Sequence, residues 1–188
     1  MEQVARGNGG SLGRSIVTCL IIGLCLAHAT RSRAADNSLE YQVKAAFLLN
    51  FTKFVDWPVS AFEAPDSPLA ICILGEDVFG STLDQIVAGE VVSGRRVTVL
   101  RIKGAPAPKS CQVLFVNRPE KEFLGFLPSL GPGVLTVGEG QNFVRGGGMI
   151  AFVIENRRVR FIANRSAAEN AMLKMSSKLL NVARDVKE

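Results

Sequence analysis

The chain has 188 residues, 47% of them hydrophobic and 21% charged, which is enough for one domain with a continuous core. A formal net charge of +5 would suit a polyanion partner, but Arg6, Arg14, Arg31 and Arg33 all precede Asp36 and face only one acid there, Glu2. The remainder is close to neutral, and its basic pairs Arg95-Arg96 and Arg157-Arg158 fall at turns, so the clustered cationic face that tracks nucleic acid is missing.

The first stretch reads as a secretory leader. Arg6 and Arg14 precede an apolar run from Ile16 to Ala27, and small residues follow. The run is shorter than the roughly 20 residues that span a bilayer. Residues 1–34 are therefore predicted to be a signal peptide, cut after Ala29 or after Ala34. The second site is preferred because it leaves acidic residues at the new terminus. An uncleaved N-terminal anchor is the alternative. Neither Cys19 nor Cys25 follows the small residue that lipid attachment requires, so the expected product is exported to the periplasm without membrane insertion after cleavage. Cys72 and Cys111 then remain, and two cysteines in an oxidising compartment read as one disulfide, two buried thiols being the alternative.

Residues 39–188 are expected to form a single domain. Its first helix spans 41–56 and is stopped by Trp57-Pro58, since proline disfavours helix in the residue before it. The run 69-LAICILG-75 has the composition of a strand buried on both faces. Asp77 is placed to cap a helix over 78–88. Strands are predicted at 97–102, 112–116 and 134–137, with a loop at 104–108 and a helix at 120–128. The strands 149–154 and 158–163 form a hairpin through Glu155-Asn156-Arg157. A capping box, Ser166 with Glu169, opens a closing helix whose stripe is Ala168, Met172, Met175, Leu179, Val182 and Val186. The expected architecture is three-layer α/β, a mostly parallel sheet with an antiparallel hairpin at one edge, flanked by helices.

The first helix is apolar nearly all round. Val43, Phe47, Phe51 and Phe54 mark one face for the core, which leaves Leu48, Leu49 and Val55 as a predicted partner or dimer interface. On that phase Leu48→Glu should weaken association and spare the fold. Asn50 lies inside the apolar stripe and is expected to make a structural hydrogen bond to backbone near the hairpin. The sole histidine, His28, is in the leader, and no metal-ligand cluster, phosphate loop or nucleophile with a base is recognisable. No catalytic residue, metal or cofactor is expected. A ligand pocket beyond the carboxyl ends of the strands stays open, among Gly75-Glu76-Asp77, Arg101, Asn117-Arg118 and Gly138 to Gln141.

From Tyr41 to Val186 the chain resembles the YfiR family. The likeness is carried by Val43-Lys44-Ala45-Ala46-Phe47, Asn50-Phe51 with Phe54, Trp57-Pro58, Ile71-Cys72-Ile73-Leu74-Gly75 and Val113-Leu114-Phe115. It continues through Leu135-Thr136-Val137, Gly147-Gly148-Met149-Ile150, Arg160-Phe161 to Asn164, and Ser176-Ser177 with Leu179-Leu180. The resemblance implies a periplasmic repressor that binds the periplasmic sensor part of an inner-membrane diguanylate cyclase, lowering cyclic di-GMP signalling and biofilm formation. It also implies that Cys72 and Cys111 form the family's structural disulfide, and that a homodimer is available. A second cysteine pair found in the best-known member is absent here. The competing expectation is a periplasmic small-ligand-binding sensor module.

Overall fold

The apolar run that reads as a doubly buried strand lies at the heart of the sheet. In a computed structural model that describes residues 39–104 and 109–188, it is β2, Leu69–Gly75, hydrogen-bonded on both sides. The leader with its two cleavage sites, and positions 105–108 of the expected loop, lie outside the described residues.

The first helix, α1, covers residues 39–54 and ends earlier than expected. Val55–Asp56 instead forms the short strand β1. After β2 come α2 (Ser81–Val87), β3 (Val91–Val92) and β4 (Arg95–Ile102). Then follow β5 (Val113–Asn117), α3 (Glu120–Phe126), β6 (Leu135–Glu139) and α4 (Gln141–Arg145). The chain closes with β7 (Ile150–Glu155), β8 (Arg158–Asn164), α5 (Arg165–Asn170), β9 (Lys174–Met175), α6 (Ser177–Val182) and β10 (Asp185–Lys187). Residues Glu40–Glu188 make one compact unit.

The large sheet runs β10-β8-β7-β6-β5-β2-β4-β3, and β1 with β9 forms a separate antiparallel ribbon. Strands β4, β2, β5, β6 and β7 are parallel, and β8 turns back against β7. The turn joining them uses Asn156 and Arg157, both at positive φ, as a two-residue hairpin between right-twisted strands requires. The hairpin is not quite the edge, because β10 pairs in parallel with β8 beyond it.

Alternation along the buried strands splits the core in two. Ile71, Ile73, Val113, Phe115, Leu135, Val137, Ile150 and Phe152 face α1, α2 and the C-terminal helices. Ala70, Cys72, Leu74, Leu114, Val116 and Ala151 face α3 and α4 through Phe123, Phe143 and Val144. The result is the expected three layers.

The closing helix is broken in two. Asn164, not Ser166, caps α5: its Oδ1 accepts from the Ala167 N–H, and the Ser166 hydroxyl donates to the same oxygen. The helix stops because Met172 adopts φ 59°, with Leu173 N–H bonded to Ala168 C=O and Met172 N–H to Glu169 C=O. That is a Schellman ending made with methionine where glycine is usual, and it is held by burial of Leu173 against Ala168. Met172 is therefore exposed, while Met175 stays in the core within β9. A new cap, Ser176, accepts from Leu179 N–H and starts α6, and Val186 ends in β10.

Candidate functional site

The disulfide joins Cys72 in β2 to Cys111, two residues ahead of β5, with Cα atoms 6.0 Å apart. β2 and β5 are sheet neighbours, so the bridge spans adjacent strands within the ordinary range for a disulfide. Next to it, Gln112 is fully buried and fully engaged. Its Oε1 accepts from Ala70 N–H at 2.8 Å, and its Nε2 donates to Ala61 C=O at 2.8 Å and Lys109 C=O at 3.1 Å. The indole N–H of Trp57 donates to the Gln112 carbonyl. This hub fastens the segment after α1 to the sheet.

The carboxyl ends of the parallel strands carry two polar clusters. In the first, Lys44 of α1 is only 2% exposed and reaches Glu139 at the end of β6, at 2.7 Å, and Glu40 one turn before it. Its ammonium lies 4.4 Å from the centre of the Tyr41 ring. Burial alone would lower the Lys44 pKa, but its hydrogen bonds to Glu139 and Glu40 outweigh it and hold the amine above its usual value. Burial, with the Glu139 charge beside it, raises the Tyr41 phenol.

In the second cluster, Arg101 of β4 binds Asp77 and Asp84 and the Gly80 carbonyl. Asp77 also accepts from the N–H groups of Phe79 and Gly80, which ties down the turn ahead of α2 rather than capping the helix at 78. Partial burial would raise the Asp77 pKa, but the Arg101 bond and these backbone donors bring it below the usual carboxylate value. The Arg101 bond does the same for Asp84. A carboxylate with a depressed folded-state pKa contributes stability above its unfolded value, and the contribution fades as pH falls through the folded one. Thermal melts from pH 6 down to pH 2 should therefore show an acid-side loss of stability that is smaller in Arg101→Gln; parallel curves for the two proteins would refute it.

Further along this edge, Gly75 at φ 103° packs where any Cβ would collide with the Asn117 carbonyl, and Asn117 donates to Glu76 C=O. Arg118 pairs with Glu122 and donates to Lys103 C=O. A cleft of about 380 Å³ opens between Arg118, Glu139, Gln141 and Asn142. The larger groove, about 580 Å³, lies elsewhere, between the α3–β6 connection and α5, with Leu127, Leu130, Met149 and Ala171 among its walls. Among the described residues, no group of three or more His, Cys, Asp or Glu is placed to hold a metal ion. Of the hydroxyls available as nucleophiles, that of Ser176 caps α6 and that of Ser166 donates to the capping oxygen of Asn164.

The expected interface must be corrected. Leu48, Leu49 and Val55 are 0%, 6% and 5% exposed and belong to the core. The face of α1 turned to solvent instead carries Val43 and Phe54, at 38% and 37% exposure, with Asn50 and Lys53. Asn50 makes no side-chain hydrogen bond to a described residue, so its expected structural role fails with the same phase. The side of α1 turned to the sheet carries Ala45, Leu48, Leu49 and Phe51. The polar residues on that side, Lys44 and Thr52, find partners: Thr52 donates to Leu49 C=O. Of the residues expected on the core face, Phe51 is fully buried and Phe47 is half-buried, and both pack against Phe152 and Phe161. The one signal in the sequence for this phase was Glu40 four residues before Lys44, a pair able to neutralise a buried amine.

The sequence from 41 to 184 matches the YfiR/HmsC-like family, across nearly the whole described fold. The chain belongs to the YfiR/HmsC-like family. This family is a regulatory, non-catalytic one that acts from the periplasm in diguanylate cyclase signalling. Among the described residues no helix is long and apolar enough to cross a membrane. No curated protein matches the sequence. Several solved structures are similar, among them two at low identity. A conserved domain protein from Vibrio cholerae O1 biovar El Tor is 11% identical, with a TM-score of 0.46 over 63% of this chain and 54% of that one. An ABC domain in complex with L-Trp from Streptococcus pneumoniae is 13% identical, with a TM-score of 0.41 over 63% and 55%. The chain thus spans little more than half the length of either.

Proposed function

We propose that this protein binds the periplasmic sensor part of an inner-membrane diguanylate cyclase and represses it, lowering cyclic di-GMP and biofilm formation. The observation that supports this most directly is the family match over residues 41–184, which runs from the buried amine of α1 to the last helix. The clusters at the strand ends are consistent with it. Lys44 is paired with Glu139 and Glu40, and Arg101 with Asp77, Asp84 and the Gly80 carbonyl, so these groups serve the fold rather than a reaction. On this reading the mature chain does no chemistry of its own, works after export and signal-peptide removal, and needs no cofactor. The outward face of α1, through Val43 and Phe54, is a contact surface open to the partner or to a second copy.

The test is complementation. In cells deleted for this gene, restoring the wild-type chain should lower cyclic di-GMP and surface attachment. Restoring a chain without its leader should not, because the proposed contact lies in the periplasm. Purified mature protein should leave cyclic di-GMP intact. Hydrolysis of the nucleotide, or equal effect of the leaderless chain, would overturn the proposal. A second reading, a small-ligand sensor, is favoured by the apolar groove between the α3–β6 connection and α5. Saturable thermal stabilisation by a small apolar compound would support it.

A further inference from the structure

β4 is the last long strand on its side of the sheet, and β3 covers only its beginning. Val92 pairs with Arg95 and Val91 with Arg96, and the final bond runs from Val97 N–H to Glu90 C=O. Backbone groups alternate sides along a strand, so residues 95, 97, 99 and 101 point away from β2. The N–H and C=O groups of Val99 and Arg101 therefore face outward, and no strand among the described residues lies beyond them. Leu100 is 41% exposed beside this edge, between the half-buried Thr98 and Ile102. The Arg101 guanidinium, which would otherwise guard the edge, is drawn away by Asp77 and Asp84. Arg96 and Lys103, exposed at the two ends of the open stretch, have no carboxylate partner among the described residues.

We propose that the outer edge of β4 receives an extended, acidic segment of the partner protein as an added strand. This rests on the reading that the protein acts by binding another protein. Four backbone groups at strand spacing are matched by another extended backbone, and Leu100 offers an apolar seat for one of its side chains. The flanking cations select acidic residues on the incoming segment. They also disfavour a second copy of this chain, whose own β4 edge carries no acidic residue from Arg95 to Lys103 to set against them.

Val99→Pro tests the edge, because the N–H it removes faces outward and the ladder to β2 is untouched. In the deletion strain, Val99→Pro should accumulate and melt like wild type yet fail to lower cyclic di-GMP. The double variant Arg96→Glu with Lys103→Glu should weaken repression likewise, and it decides the matter should the proline variant not fold. In the isolated wild-type protein, the Val99 and Arg101 amides should exchange with solvent much faster than those of Thr98, Leu100 and Ile102. Equal protection of both sets, or full repression by a folded variant, would overturn the proposal. Failure of the wild-type chain to repress would instead remove the function on which it rests.

Discussion

Gln112→Leu is expected to destabilise the protein by about 2–6 kcal/mol, although leucine nearly matches glutamine in volume. The side chain satisfies the N–H of Ala70 and the C=O of Ala61, both on buried residues, and the substitution leaves each without a partner. An orphaned buried group costs about 1–3 kcal/mol, which doubles here; the third partner, Lys109 C=O, is exposed and recovers water. Gln112→Glu should be worse at neutral pH, since a carboxylate would face two carbonyl oxygens, and should recover partly in acid, when it regains a proton to donate. Denaturant midpoints with an unchanged m-value are the measurement. A loss below about 0.5 kcal/mol, the range of an ordinary surface change, would mean the hub contributes nothing.

That hub marks the limit of what the sequence discloses. Strands β2, β5, β6, β7 and β8 were legible because each is an apolar run or alternation closed by turn residues, and their order already argues for a parallel sheet with a hairpin. Cys72 and Cys111 were legible as a pair, and β2 beside β5 supplies the reason they meet. The ribbon of β1 with β9, and β10, are two or three residues long and exist only through distant partners such as Val55 with Met175. No local pattern encodes them. The break at Met172 was hidden because an apolar stripe continues through it, and the left-handed turn there is imposed by burial of Leu173 rather than by a glycine. The role of Gln112 was equally hidden, since its partners come from three separate segments.

The phase of α1 is where sequence reasoning chose the wrong face, and it yields the other large prediction. Leu48→Ala should cost about 2–5 kcal/mol, because a fully buried leucine leaves a cavity that the surrounding sheet and aromatic residues fill only in part. Leu48→Glu should go further and abolish cooperative folding at neutral pH. An unpaired carboxylate would then stand in the apolar layer, in a domain whose whole stability is of the order of 5–15 kcal/mol. Val43→Glu and Asn50→Glu, five residues before and two after on the outward face, should melt close to wild type. Circular-dichroism melts on the four variants separate the two phases: a folded Leu48→Glu beside an unfolded Val43→Glu would restore the original face. Loss of repression in a Leu48 variant would therefore report unfolding and say nothing of binding. A binding test on this helix belongs at Val43 and Phe54, where an added charge faces outward without entering the core.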